Sequence, residues 1–436
     1  MNIYAWIGML GIIFLTLLPL HKTENRSKEA IRKAIITVVI VLGIIVAVLV
    51  FKVAYLFAFI IGVIAMILFD KKTYTKKRLL IYSSIIVVIG IVIYSVFREN
   101  PDYVLDHLKE NPQTTSLYVA ENGVEFITYH SDVVRPLAST VKMLIVVEYA
   151  MQVDAGILSK DSTVPLDDLA RFYYKNTDGN AHESWLQRMK SDGKIHNNAV
   201  ALHDVAKGMI RYSSNANTDY LIHILGIENI NERAKMLGLT QHEEVYPLVS
   251  AQLMPKQIEY ASLSDEQLIQ KLEEIPMETY RSTAIAISEE MRAGTIKVEE
   301  IPSDIAIKVQ RVWSDRLIGA SANEYGKLLA IISNDELPGG AADIARDLLE
   351  WPMQDFESNH ERFIHRGGKG GSTAFVLNDA IYAEDHEGNK IEFVILTDDL
   401  NLWQSQMLLF NISSFESKIL GDPEYRQKVQ RELSET

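Results

Sequence analysis

Four long apolar runs fill the first hundred residues, and they constrain the architecture of this chain more than any other feature. Each run is 17 to 19 residues long and contains no Asp, Glu, Lys or Arg. At a rise of about 1.5 Å per residue, helices of this length extend about 26–28 Å, close to the hydrocarbon thickness of a bilayer. The four predicted transmembrane helices are Asn2–Leu20, Ala34–Phe51, Val53–Phe69 and Leu79–Phe97.

The loops between these runs predict their orientation. His21–Lys33 and Asp70–Arg78 each carry five Lys or Arg residues, whereas Lys52 alone separates the second run from the third. Basic loops stay in the cytoplasm. No basic residue precedes the first run, which favours a retained span over a cleaved signal peptide. We therefore expect a multi-pass anchor in a bacterial cell membrane, with all residues after Phe97 on the extracytoplasmic side.

The rest of the chain is acidic. Residues 1–100 carry 12 Lys and Arg against 4 Asp and Glu, whereas residues 101–436 carry 31 against 53. Nucleic-acid binding needs clustered cations, so this balance argues against a nucleic-acid partner. The chain has no cysteine, which excludes disulfides and thiolate metal sites. The composition therefore predicts a lipid bilayer as the partner of the first hundred residues, and no nucleic-acid partner.

Patterning after the apolar runs predicts one domain with a sheet and a helical insertion. Asn122-Gly123 and Gly388-Asn389 each lie between strand-like segments, as expected for hairpins. The segment between them, Leu166–Leu349, has mostly helical periodicity. An antiparallel sheet built from both chain ends, with helices inserted between them, gives an α/β (α+β) domain. The predicted organisation is four transmembrane helices in 1–98, a polar linker in 99–114 and a soluble domain in 115–436.

The string Ser139-Thr140-Val141-Lys142 is the first of three that carry chemistry. A serine hydroxyl needs a base within hydrogen-bond reach to act as a nucleophile. On a helix, residues three apart share a face, so Lys142 is predicted to lie beside Ser139 and to take its proton. A second Ser-x-x-Lys string, Ser191–Lys194, lies in a polar stretch that contains a glycine. Ser139 opens an apolar helical segment, and this context selects it as the nucleophile.

Two further strings complete the predicted site. Ser213 and Asn215 lie in a turn between helical segments, where a hydroxyl that relays a proton and an amide that holds a carbonyl can face one cleft. Lys369, Gly371 and Ser372 belong to a glycine-rich segment predicted to open a strand. Lys369 is suited to bind a carboxylate, and glycines let a substrate backbone approach. The backbone N–H groups of Ser372 and Ser139 would form an oxyanion hole.

The order Ser-x-x-Lys, Ser-x-Asn, Lys-Gly-Gly resembles the motif set of class A β-lactamases and penicillin-binding proteins. The resemblance covers roughly residues 115–425 and implies the sandwich fold of that superfamily. It implies acylation of a serine by a β-lactam or a D-alanyl-D-alanine-like amide, without a cofactor. By this resemblance Ser139 is the nucleophile, Lys142 is its base, Ser213 and Asn215 line the cleft, and the strand edge is formed by Lys369 and Gly371.

The sequence departs from the family pattern in three places. Ser214 replaces the usual aspartate of the second string, and Gly370 replaces the usual threonine of the third. The Glu-x-x-Leu-Asn string, whose glutamate activates the deacylating water in class A enzymes, has no match here. Glu244 is the candidate for that base and Glu243 its neighbour, although surface glutamates are the competing interpretation. Acylation is therefore expected, and the speed of deacylation stays open.

Two other functions remain open at this level. An esterase acting on another acyl substrate would use the same three strings. A sensor for β-lactams or peptidoglycan would be acylated once and stay acylated. A zinc peptidase is rejected because the nearest approach to His-Glu-x-x-His, His360–His365, is one residue too long, and no metal is predicted.

Overall fold

A computed structural model describes residues 99–257, 260 and 262–435. The four predicted transmembrane runs lie outside the described residues. Within the described part, no helix combines the length and the apolar character needed to cross a membrane. Residues Glu99–Thr436 form one compact unit, which carries all three motif strings.

An antiparallel five-stranded sheet forms the centre of this unit, in the order β2-β1-β9-β8-β7. The first two strands come from the start of the unit and the last three from its end, so the sheet is built from both chain ends, as the sequence predicted. The sequence did not predict β7. Two short pairs, β3 with β6 and β4 with β5, lie apart from it. The strands are β1 (Thr115–Glu121), β2 (Val124–Tyr129), β3 (Arg135–Pro136), β4 (Thr163–Pro165), β5 (Ala199–Ala201), β6 (Gly319–Ala320), β7 (Phe363–Ser372), β8 (Leu377–Asp385) and β9 (Lys390–Thr397).

Helices cover both faces of the sheet. They are α1 (Pro101–Glu110), α2 (Lys142–Asp154), α3 (Leu166–Ala170), α4 (Ala181–Ser191), α5 (Leu202–Lys207), α6 (Asn215–Leu225), α7 (Ile227–Met236), α8 (Leu248–Leu253), α9 (Asp265–Glu274), α10 (Met277–Ala293), α11 (Ile307–Asp315), α12 (Ala322–Ser333), α13 (Ala341–Leu349), α14 (Trp351–Asp355), α15 (Glu357–His360), α16 (Leu402–Gly421) and α17 (Pro423–Ser434). The middle of the chain is helical, as predicted.

Alternating side chains of the central strands enter two separate cores. On β9, Val394 and Leu396 pack with the inserted helices, whereas Phe393 and Ile395 pack with the helices from the chain ends. Successive side chains of a strand point to opposite faces, so a sheet covered on both sides needs apolar residues at every position. This requirement explains the continuous apolar run Phe393–Leu396 in β9.

The predicted linker, residues 99–114, instead contains α1. Asn100 caps this helix by accepting a hydrogen bond from the N–H of Asp102 at 3.1 Å, and Pro101 occupies its first position. These are standard signals for a helix start. Val104, Leu105 and Leu108 are buried on one face of α1, in the core shared with α16.

The third motif string closes a strand instead of opening one. Lys369, Gly370 and Gly371 lie near the end of β7, whose register pairs Gly371 with Asn378 of β8. Glycine weakens strand propensity, which hid β7 from the sequence pattern. The strand packs against a 3₁₀ turn, Ala138–Val141, that carries the first motif string.

Gly371 makes the closest part of this packing. A Cβ atom at position 371 would lie 2.6 Å from the Leu137 carbonyl oxygen, 2.6 Å from the Ser139 nitrogen and 2.7 Å from the Thr140 nitrogen. A side chain there would force backbone against backbone. Glycine at 371 is therefore what allows β7 to reach the turn.

Replacing Gly371 by alanine is expected to lower the free energy of unfolding by about 1–3 kcal/mol, the usual cost of overpacking. The strand and the turn would have to separate, because neither contact involves a flexible side chain. Urea unfolding followed by tryptophan fluorescence measures the change.

Gly370→Ala is the matched control for this prediction. A Cβ at position 370 meets its nearest atom, the Asn378 carbonyl oxygen, at 3.4 Å, an ordinary contact. Equal unfolding free energies for the two variants would contradict the account of Gly371.

Candidate functional site

A cleft of about 570 Å³ lies where the 3₁₀ turn, the end of β7 and the start of α6 meet. Most residues of the predicted site line this cleft together, although they come from three distant parts of the chain. Lys142 lies behind its wall, fully buried. The predicted site residues that line the cleft are Ser139, Ser213, Asn215, Lys369, Gly371 and Ser372.

Ser139 is held in a strained turn. It is partly exposed, and the preceding Ala138 adopts φ 49°, a left-handed conformation that is unusual for alanine. The sequence predicted that Ser139 would open an α-helix. The regular helix α2 begins at Lys142 instead, and Ser139 lies in the 3₁₀ turn before it. Strain of this kind persists only when surrounding contacts hold it, here the packing of Gly371 against the turn.

Lys142 links the first two motif strings. Its Nζ donates to the Ser213 carbonyl oxygen at 2.8 Å and to Asn215 Oδ1 at 2.9 Å. Ser213 Oγ lies 3.1 Å from the same nitrogen. The side chain therefore connects the start of α2 to the turn before α6.

Burial lowers the pKa of Lys142 well below its usual value of 10.5, and the nearby charge of Lys369 lowers this pKa further. Asp178 and Asp219 oppose the shift. A neutral amine keeps two N–H donors, which match the carbonyl oxygen and the amide oxygen described above. Its lone pair is then free to accept a proton from a hydroxyl.

Ser213 also has an unusual backbone. It follows a π-helical turn, Gly208–Tyr212, and has φ 67° and ψ 28°. π-turns interrupt helices mainly where a function requires a reoriented residue. Ser214, buried beside it, caps α6 by accepting a hydrogen bond from the N–H of Asn217 at 3.2 Å. Ser214, which replaces the usual aspartate of the family pattern, therefore stabilises the start of α6. Asn215 is the first residue of this helix.

His182 does not line the cleft. It is 2% exposed and contacts Tyr173 and Trp185, with ring centroids 4.6 and 5.4 Å away. Its Nδ1 lies 3.0 Å from Ser214 Oγ. Burial lowers the pKa of His182 to about 4, so the ring is neutral and structural at pH 7.

Lys369 presents an ammonium at the other side of the cleft. It is only 8% exposed, and its Nζ donates to the Gly370 carbonyl oxygen at 2.6 Å. Burial lowers the pKa of Lys369 to about 8, against the opposing effect of Asp379. Ser372, three residues further along β7, is exposed at the cleft.

The structure does not bring Glu244 into the cleft. Its side chain is 71% exposed, with Oε2 4.0 Å from a guanidinium nitrogen of Arg281. Glu243 accepts a hydrogen bond from the N–H of Gly319 at 3.1 Å and also faces Arg281. Among the described residues that line the cleft, the acidic ones are Asp178 and Asp379.

Asp219 is a residue of this site that the sequence analysis missed. It is fully buried on α6, and its two oxygens accept hydrogen bonds from the N–H groups of Leu248 and Val249, both at 2.8 Å. Burial raises the pKa of Asp219 to about 7. It caps α8, whose first residue, Leu248, lines the cleft. The sequence signal that could have identified Asp219 is a single carboxylate within the helical segment Asn215–Leu225.

The second Ser-x-x-Lys string lies elsewhere. Ser191 ends α4 on the surface, and Lys194 forms an ion pair with Asp204 at 2.6 Å. Neither residue lines the cleft. Across the described part of the chain, no group of three or more His, Asp or Glu side chains is arranged to hold a metal ion.

A family model and several solved structures are similar to this chain. The family described as "Beta-lactamase enzyme family" matches residues 102–414. A β-lactamase from Sphaerobacter thermophilus DSM 20745 is 15% identical, with a TM-score of 0.47 over 74% of this chain and 97% of the other. A class A β-lactamase representative from Bacteroides cellulosilyticus DSM 14838 is also 15% identical, with a TM-score of 0.43 over 78% and 100%.

A structure titled "Structure of PBP-A" is 16% identical, with a TM-score of 0.44 over 73% of this chain and 94% of the other. A search of curated proteins finds no match. The family match spans most of the chain and includes all three motif strings. The chain therefore belongs to the Beta-lactamase enzyme family.

Proposed function

We propose that this chain is a membrane-anchored, extracytoplasmic serine hydrolase that forms an acyl-enzyme at Ser139. Its acyl donors are β-lactams or D-alanyl-D-alanine-like amides, and no cofactor is required. The observation that carries the proposal is the burial of Lys142, which follows the cleft-lining Ser139 by three residues. Its Nζ is hydrogen-bonded to Ser213 and Asn215. A surface lysine would be protonated and could not serve as a base.

Acylation follows from this arrangement. Ser139 Oγ attacks the carbonyl carbon of the substrate while its proton passes to the neutral amine of Lys142. The amine then returns a proton through Ser213 Oγ, 3.1 Å away, to the leaving nitrogen. The C–N bond breaks, the C–O ester bond remains, and Lys142 is neutral again.

Substrate binding uses the other side of the cleft. The ammonium of Lys369 is suited to the carboxylate that β-lactams and D-alanyl-D-alanine both carry. The backbone N–H groups of Ser139 and Ser372 would stabilise the developing oxyanion. Asn215 Oδ1 already accepts from Lys142, so its amide NH₂ is left to hold a substrate carbonyl.

We further propose that the acyl-enzyme is long-lived. Deacylation needs a base that orients water on the ester. Of the acidic residues lining the cleft, Asp178 already accepts hydrogen bonds from the N–H groups of Ala181 and His182, both at 3.1 Å. Asp379 is half-buried near Lys369, and desolvation raises the pKa of its carboxyl. With Glu244 at the surface, slow release favours a peptidase or a non-turnover sensor over an efficient β-lactamase.

Fluorescent penicillin is expected to label the full-length chain, and Ser139→Ala is expected to abolish the label, because Ser139 carries the acyl group in the proposed reaction. Gel fluorescence measures labelling, and its loss after removal of free penicillin measures release. Release should take many minutes and be unchanged in Glu244→Gln.

Ser191→Ala, in the second Ser-x-x-Lys string, is the matched control and should label like the wild type. Label that persists in Ser139→Ala would contradict the proposal. Ester hydrolysis that depends on Ser139, in a chain that penicillin does not label, would identify an esterase instead.

Acylation by carboxylate-bearing penicillins is expected to fall as the pH rises through about 8. The cation of Lys369 is present below its pKa of about 8 and is lost above it. Lys369→Arg keeps the charge at higher pH, so the decline should move upward. Second-order acylation constants, measured across roughly two pH units on either side of that value, test this.

The exposed Lys235→Arg variant is the control and should retain the wild-type profile. A wild-type rate that stays constant through this range would contradict the assignment of Lys369 to the substrate carboxylate.

The four apolar runs support the proposed anchoring and orientation. Protease added to intact cells is expected to remove the domain of residues 99–436 and leave a short membrane-bound fragment. Immunoblotting with one tag at each chain end measures the products. A cytoplasmic marker controls for lysis. Protection of the domain until the cells are permeabilised would refute the orientation.

A further inference from the structure

The outer face of α16 carries three large apolar side chains that the fold leaves exposed. Leu402, Trp403 and Leu409 are 49%, 61% and 55% exposed, although the opposite face of this helix is packed in the core. Leu402 and Leu409 are two helical turns apart and share a face, and Trp403 lies beside Leu402. We call these three residues the α16 patch. Clustered exposed apolar side chains mark interaction sites, whereas scattered ones are ordinary.

The α16 patch lies in a stretch without charge. Leu400–Phe415 contains no Asp, Glu, Lys, Arg or His, and two exposed polar residues of the outer face, Gln406 and Ser413, are uncharged. Elsewhere an exposed apolar side chain can stand beside a charge, as Met236 does after Lys235. Moving a charge out of water is costly, so an uncharged apolar face is suited to contact with lipid even on a strongly acidic domain.

The two acidic residues just before this stretch are ion-paired. Asp398 pairs with Arg135 at 2.7 Å, and Asp399 pairs with Arg311. Neither carboxylate is therefore an uncompensated charge at the start of α16.

The N-terminal end of the described domain lies on the same helix. The backbone N–H of Asn100 donates to Asn411 Oδ1 at 2.7 Å. Asn411 follows Leu409 by two residues and Leu402 by nine, or about 3 to 14 Å along the helix axis. In the proposed anchor the last span ends at Phe97, and the three residues from there to Asn100 extend at most about 11 Å. The proposed anchor therefore brings the bilayer surface within reach of the α16 patch.

We propose that the α16 patch rests on the outer surface of the lipid bilayer in which the chain is anchored. Its three side chains insert at the level of the lipid headgroups, where tryptophan and leucine are typical of helices that lie along a membrane. This inference rests on the proposed anchoring and is independent of acylation at Ser139. Leu409 also lines the cleft, so the contact holds the cleft close to the membrane surface.

Nitroxide labels test this contact, because the chain has no native cysteine. Leu402→Cys, Trp403→Cys and Leu409→Cys each give one labelling site in the full-length chain, which is reconstituted in vesicles of equal parts phosphatidylcholine and phosphatidylglycerol. Oxygen concentrates in the bilayer, whereas a charge-neutral nickel chelate stays in water. Collision with oxygen should therefore exceed collision with the nickel chelate at the three patch sites, as measured by power-saturation electron paramagnetic resonance.

Ile157→Cys and Met236→Cys are the matched controls. Both residues are apolar, are 69% and 73% exposed, and lie outside α16. Their labels should collide more often with the nickel chelate than with oxygen. The thermal midpoint of each labelled variant, followed by circular dichroism, shows that it is folded, and three separate patch positions guard against failure of one.

The outcomes separate the hypotheses. Oxygen preference at two or more patch sites, with nickel preference at the controls, supports the proposal. Nickel preference at the patch places it in water and overturns the proposal, as does oxygen preference at patch and controls alike. Patch labels that both reagents rarely reach are covered by protein, either residues 1–98 or a second copy of the chain, and this result also overturns it. A chain that alkaline carbonate washes from the vesicles would overturn the proposed anchoring, and the contact with it.

Discussion

The burial of one lysine is the constraint on which the candidate site depends. Lys142 lies inside the core, and a buried ammonium is costly unless it is paired or neutral. Its pKa falls because of this burial, and the Ser213 carbonyl and the Asn215 amide oxygen take the remaining N–H groups. The left-handed backbone of Ser213 turns that carbonyl and hydroxyl toward Lys142. Fold stability and proton transfer therefore depend on the same contacts.

The sequence predicted which residues meet in the cleft better than it predicted the backbone geometry that supports them. Motif order identified the residues that meet in the cleft, because each string carries its own functional group. It did not predict that Ser139 lies in a 3₁₀ turn, since that conformation results from β7 packing through Gly371, 232 residues later in the chain. Asp219 was missed for the same reason: its burial depends on a helix that is distant in the sequence. Glu244 was chosen by position along the chain, and position says nothing about exposure.

The helix α1 and the strand β7 were not predicted, because the residue composition of each segment disfavours its observed structure. Residues 99–114 are polar, yet Asn100 and Pro101 mark a helix start and three apolar residues share one face of α1. The glycines of β7 hid a strand whose pairing with β8 is set by the meander and not by propensity. In β7, tertiary packing overrides a residue-level preference.

The order of the strands has a consequence for biosynthesis. β9 lies between β1 and β8, so the sheet cannot close until nearly 400 residues have been made. The turn with Ser139 and the strand that supports it are likewise separated by most of the domain. Contacts between such distant segments form slowly, and incomplete chains expose apolar strands. A nascent chain shorter than about 370 residues lacks the end of β7, so the cleft between this strand and the turn with Ser139 cannot form in it.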